Sequence, residues 1–144
     1  MDTERGIFYL TRQVEFSAAH RLYQEGLSES ENYRIFGRCA NPYGHGHNYI
    51  LEVTLRGHRE ESTGMVVHFD FIKRILQEIV VNPLDHRHLN YDVEMMRGIL
   101  PTSENLLMVL WETLAGALTG THFSLYKLRL KSSPRNWVEY QGKG

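Results

Sequence analysis

The chain has one cysteine, four prolines, almost no net charge and no long apolar run, and each shortage excludes something. A lone cysteine, Cys39, cannot close an internal disulfide, so a disulfide-stapled scaffold is excluded and a reducing cytoplasm is the expected home. A formal net charge of -1 removes the broad electrostatic basis for binding nucleic acid or an anionic membrane. No apolar stretch approaches the roughly 20 residues that cross a bilayer. The N-terminal MDTERGIFYLTRQ carries acids and no continuous apolar segment, so it does not read as a secretory signal. Repeats, low-complexity tracts and linkers are also missing, and 144 residues fit one domain, 1–144.

Histidine is what the chain has in quantity: eight residues, unevenly placed. Their setting follows from hydrophobic periodicity. Leu10, Val14, Phe16, Ala18 and His20 share one parity, as in a half-buried strand over about 7–20. Residues 21–44 are rich in Gly, Ser, Asn and Pro and read as loop. A second strand spans about 45–56, with His45, His47, Tyr49, Leu51, Val53 and Leu55 on one face. Ile72, Ile75, Leu76 and Ile79 mark a helix over about 69–81, stopped by Asn82-Pro83. A second helix follows the Pro101-Thr102-Ser103 cap, with Leu107, Leu110, Trp111, Leu114 and Leu118 as its stripe and Gly120 at its end. Strands at about 121–131 and 136–141 complete the order β-β-α-α-β-β. That order is an α+β fold, an antiparallel sheet with helices on one face.

Antiparallel pairing of the first two strands places the end of one beside the start of the other. The apolar neighbours of His20, His45 and His47 should face the helices. All three imidazoles then converge at one end of the sheet, and Gly46 leaves room beside them. Three neutral nitrogens with an open fourth position are what catalytic zinc uses, although imidazole also suits iron, nickel and copper. Cys39 lies in the loop before these histidines, as a base or nucleophile near a metal or as a small buried residue. Asp85-His86 fits either a carboxylate–imidazole acid–base unit or a capped surface loop. His58, His68, His88 and His122 show no partner by spacing and read as surface or structural residues.

FSAAHRL (16–22), GRCANPYGHGHNY (37–49), GMVVHFDFIK (64–73), LDHRHLN (84–90) and PTSEN (101–105) together resemble the 6-pyruvoyltetrahydropterin synthase and 6-carboxytetrahydropterin synthase family. The resemblance covers nearly the whole chain, in order. The five residues between Cys39 and His45 look like the pyruvoyl-forming branch. It implies a T-fold: a four-stranded antiparallel sheet with two helices, trimers closing into a barrel, and two trimers stacking as a homohexamer. It implies Zn2+ on His20, His45 and His47, with Cys39, Asp85 and His86 catalytic and the last two donated by a neighbouring subunit.

The implied reaction converts 7,8-dihydroneopterin triphosphate to 6-pyruvoyltetrahydropterin with loss of triphosphate, a carbon–oxygen lyase. The carboxy-forming branch of queuosine biosynthesis is the alternative, a carbon–carbon lyase that releases acetaldehyde. Substrate contacts fall to Thr102, Ser103 and Glu104, and to Lys131 and Ser132. The last two mark a departure from the family, which carries a pterin-binding glutamate eight residues before the tyrosine of the last strand. Counting back from Tyr140 gives Ser132. Glu104 and Glu139 are the candidate replacements. A family member with a non-pterin substrate, or without catalysis, is the further alternative that this change opens. His68 also replaces the aspartate of the GMVxDF pattern, at a position expected to cap the following helix.

Overall fold

The computed structural model describes residues 6–143; residues 1–5 and 144 of the expected domain lie outside the described residues. The elements in chain order are β1 (Phe8–His20), α1 (Glu29–Phe36), β2 (His45–Gly57), α2 (Phe69–Leu76), α3 (Asn82–Leu84), β3 (Arg87–His88), α4 (Ser103–Ala117), β4 (Ser124–Ser133) and β5 (Asn136–Tyr140), with short 3-10 and π turns between. The strands form one open sheet in the order β3-β1-β2-β4-β5. β1, β2, β4 and β5 pair antiparallel, while β3 joins the edge of β1 in parallel through Ala18 and Ala19.

Burial along β1 and β2 follows the expected period of two. Phe16, Ala18 and His20 are buried on β1, and Tyr49, Leu51, Val53 and Leu55 on β2. These side chains, with Leu128 and Leu130 of β4, pack against Ile72, Leu76 and Val80 from α2 and the turn after it. Leu106, Leu107, Leu110 and Leu114 of α4 complete the same core. Each fully buried leucine contributes about 1.5–3 kcal/mol by removing its surface from water. Trp111 is only half-buried, set edge-on to Tyr140 with ring centroids 5.5 Å apart.

Four expectations change. The sheet has five strands and is mixed, because Arg87–His88 adds a short strand that a two-residue segment cannot announce by periodicity. The segment 21–44 is not all loop, since α1 lies within it. Its signal is the capping box Ser28–Glu31, where Ser28 Oγ accepts from the Glu31 N–H and the Glu31 carboxylate accepts from the Ser28 N–H. Asn82-Pro83 does not end the second helical run. The backbone widens into a π turn over Gln77–Val81, with the Asn82 N–H reaching Gln77, and helical pitch resumes through α3. A wide turn accommodates a proline that lacks an N–H and would crowd the preceding carbonyls. Finally, β4 runs Ser124–Ser133, so Ser132 and Ser133 belong to the strand and not to the connection.

His68 caps α2 as expected, its Nδ1 accepting from the Asp70 N–H at 3.0 Å. Among the described residues, no helix is long and apolar enough to cross a membrane.

Candidate metal centre

The site forms where β1 ends and β2 begins. His20 and His45 face each other across the ladder, and Ala18 pairs with His47 one step further in. His20 Nε2 stands 3.2 Å from His45 Nε2 and 3.2 Å from His47 Nε2. Three nitrogens bound to one tetrahedral zinc at about 2.05 Å would stand about 3.3 Å apart, so the spacing matches. All three candidate ligand atoms lie within 4.8 Å of one another.

The second nitrogen of His20 sets its tautomer. Its Nδ1 donates to the Pro101 carbonyl at 2.8 Å, so the Nε2 lone pair is left facing the cluster. Burial pulls the pKa of His20 down to about 4, with the Pro101 carbonyl opposing and the neighbouring histidines adding to the fall. Burial, and then His45, also lowers His47, against an opposing pull from the Ser132 backbone. Neutral imidazoles are the form that binds a metal. The donor chemistry and spacing therefore fit a zinc ion with an open fourth position.

Cys39 is brought to this cluster. Its Sγ lies 3.2 Å from His45 Nε2, and its carbonyl accepts from the Leu22 N–H at 2.7 Å, which pins the 3-10 turn Gly37–Ala40 to the end of β1. Burial pushes the Cys39 thiol upward, so the protein interior alone favours the protonated form. Gly44 supplies the turn into His45 at φ +72. A Cβ there would meet the His20 carbonyl oxygen at 2.5 Å and His88 Nε2 at 3.1 Å.

Asp85 and His86 form a real pair on the edge of the sheet, where His86 borders one cleft with His47. Asp85 Oδ2 is 2.9 Å from His86 Nδ1, and Asp85 Oδ1 accepts from the Ser17 N–H at 2.8 Å. Ser17 points to the face opposite Phe16 and Ala18, and its hydroxyl donates to Asn48. The Ser17 N–H and then His86 hold the Asp85 carboxyl below the usual carboxylate range. His86 has a positive φ of 62 and is largely exposed at the sheet edge. Among the described residues, no hydrogen bond or ion pair joins it to Cys39 or to the three histidines.

The remaining candidates divide. Thr102 is the N-cap of α4, its hydroxyl accepting from the Asn105 N–H at 3.1 Å, and it follows directly on the Pro101 carbonyl that holds His20. Ser103 and Glu104 open α4 beside it. Lys131 and Ser132 lie in a cleft shared with His47. Glu139 is instead engaged by Lys127 at 3.8 Å and sits opposite Arg129, further along β4.

His88, read from spacing as surface or structural, is closer to the site than expected. Its backbone N–H donates to Asp92 at 2.6 Å, its Nδ1 accepts from the Asn90 N–H, and its ring reaches Gly44. Asn90 then clasps both backbone groups of Arg21 at 2.8 Å. No spacing pattern reveals these contacts, since they depend on β3 docking to β1. The other histidines are structural: His58 and His122 donate to the Gly6 and Val66 carbonyls, and His68 is the cap.

An antiparallel-cored α+β domain with three converging imidazoles that could hold a metal ion, and a thiol beside them, fits the tetrahydropterin-synthase class. Comparison with known proteins makes this specific, and the chain belongs to the 6-pyruvoyl tetrahydropterin synthase family, which matches residues 9–143. It is 42% identical over 137 residues to a 6-pyruvoyl tetrahydrobiopterin synthase of Poecilia reticulata, covering 95% of this chain and 92% of that one. The solved 6-pyruvoyl tetrahydropterin synthase of Caenorhabditis elegans superposes with a TM-score of 0.88 at 37% identity, covering 96% of this chain and 98% of that one. More distant is a 6-carboxy-5,6,7,8-tetrahydropterin synthase of Rickettsia felis, 26% identical over 145 residues and covering 90% and 96%.

Proposed function

We propose that the chain is a metal-dependent lyase that converts 7,8-dihydroneopterin triphosphate to 6-pyruvoyltetrahydropterin with loss of triphosphate. The observation that carries this reading is the placement of the Cys39 thiol 3.2 Å from one of three convergent histidine nitrogens. His20, His45 and His47 would hold zinc, which when bound supplies a Lewis acid for the substrate's side-chain oxygens and favours the Cys39 thiolate against burial.

The chain's own residues account for the rest. Cys39, fixed through its carbonyl to Leu22, moves a proton at the side-chain carbon beside the metal. Pro101 keeps His20 in one tautomer. Asp85 orients His86 through Nδ1, which leaves Nε2 free for proton exchange. His86 is exposed at the sheet edge with Asp85 half-buried behind it, and among the described residues the pair makes no hydrogen bond or ion pair to its own triad, which favours its donation to the site of a neighbouring subunit. A homohexamer of two barrel-closing trimers provides such neighbours, and the open sheet edge at β3 and β1 is available for it.

The pyruvoyl reading is preferred over the carboxy-forming one because the relatives of higher identity carry the pyruvoyl name and the 26% identical one carries the other. The test is release of triphosphate from 7,8-dihydroneopterin triphosphate by zinc-loaded protein. Release that is abolished in Cys39→Ala with metal content unchanged supports the proposal. Release at the same rate in Cys39→Ala contradicts it.

A further inference from the structure

Three cations leave β4 on the face away from the helices, in alternation with buried Leu128 and Leu130. Lys127 pairs with Glu139 at 3.8 Å, and Arg129 lies 4.0 Å from Glu52. Lys131, the one nearest the histidine cluster, has no ion-pair partner among the described residues. Its Nζ instead stands 5.8 Å from the Trp137 ring centroid.

Lys131 borders a cleft of about 440 Å³ together with His47, Asn48, Ser132, Ser133 and Pro134. A register break between Lys131 and Ser133 makes Ser132 the extra residue of a β-bulge. Adjacent strand residues normally point to opposite faces, and a bulge re-aims them, so both serines border the same cleft as Lys131. Their polar atoms are biased toward donation. Asn48 Oδ1 already accepts from Ser17, which leaves its amide N–H groups. Ser133 Oγ already accepts from Asn136 at 3.1 Å, which leaves its O–H. Among the described residues, no carboxylate lines the cleft. A wall of donors with one cation and no acid complements an oxygen-rich anion and opposes the amine and N–H edge of a heterocycle.

We infer that the Lys131–Ser132–Ser133 bulge, with Asn48, is an anion subsite that takes a phosphoryl group of the substrate beside His47. The inference rests on the proposed reading in one respect: the substrate carries phosphate. Free polyphosphate presents the same chemistry, so the experiment separates the two.

Trp137 is the reporter, beside Lys131. Wild-type protein and its Lys131→Ala, Ser132→Ala/Ser133→Ala and Lys127→Ala variants are titrated with inorganic tripolyphosphate and, separately, with unphosphorylated dihydroneopterin. Each titration is made before and after EDTA treatment, which removes chelation as a source of signal. Saturable tripolyphosphate binding is expected, weakened about tenfold by Lys131→Ala and by the double serine change, the size of one charge-assisted hydrogen bond. Lys127→Ala should bind as wild type, and Lys131→Ala should leave dihydroneopterin affinity unchanged. Absent saturable binding, a Lys131→Ala affinity equal to wild type, or equal weakening for both ligands overturns the inference. Turnover of dihydroneopterin triphosphate with no Lys131 dependence of tripolyphosphate binding sinks the subsite and leaves the proposed function standing. Lys131-dependent binding without turnover does the reverse. A Lys131→Ala effect on free tripolyphosphate but none on the KM for the triphosphate substrate assigns the site to free polyphosphate and overturns the substrate role.

Discussion

His20 and Pro101 are joined by a 2.8 Å hydrogen bond from the imidazole Nδ1 to the carbonyl that precedes helix α4. A helix packed on the core thereby orients a side chain at the end of the sheet. The Thr102 cap is the part of this link that mutation can reach. Thr102→Ala removes the bond to the Asn105 N–H and should cost about 1 kcal/mol of stability. If α4 positions the Pro101 carbonyl, the same change weakens metal affinity by about 10-fold or more. Competition with a chromophoric chelator measures this; a stability loss with unchanged affinity would separate the cap from the site.

Gly44 and Gly64 share a φ of +72, yet only Gly44 is crowded: a Cβ there would stand 2.5 Å from the His20 carbonyl oxygen, while one at Gly64 would meet nothing within 4 Å. Gly64→Ala therefore reports backbone strain alone, about 1 kcal/mol. Gly44→Ala adds displacement of β1's last residue and should lose bound metal. Metal analysis after gel filtration is the readout, and full occupancy in Gly44→Ala counts against the role of this contact.

Asp85 predicts an acid dependence. Its carboxyl is held below the ordinary value by the Ser17 N–H and His86, so the carboxylate stabilises the fold above the unfolded pKa of about 3.9. The contribution is lost as pH falls through the depressed folded value. Denaturant midpoints of wild type and Asp85→Asn should differ by a constant amount above about pH 5 and converge as the pH falls below about 4. A difference that grows with acidity would have the wrong sign.

Leu128 is fully buried in the middle of the sheet, in the core it shares with α2 and α4. Leu128→Ala should destabilise by about 2–5 kcal/mol through lost transfer energy and the cavity left behind. Equilibrium denaturation measures it. Metal stoichiometry should survive at temperatures where the variant remains folded, since the triad sits at the strand ends.

The parts of the site carried by periodicity were legible in the sequence. Strand parity put His20, His45 and His47 on one face, and antiparallel pairing brought them together. The parts carried by docking were not. β3 is two residues long and exists because Leu89, Asn90 and His86 satisfy the edge of β1, so neither it nor the approach of His88 to Gly44 leaves a local pattern. Helix α1 was legible in the Ser28–Glu31 capping box, though Gly and Asn on either side masked it. The bulge at Ser132 depends on the pairing of β4 with β5 and could not be counted from Tyr140.

The most direct test is incubation of zinc-loaded protein with 7,8-dihydroneopterin triphosphate, with products separated and identified by mass. The expected products are 6-pyruvoyltetrahydropterin and one equivalent of triphosphate, formed in dependence on Cys39 and on the metal. Unconsumed substrate in the presence of fully loaded protein, or a 6-carboxy product with acetaldehyde, would contradict the proposed reaction.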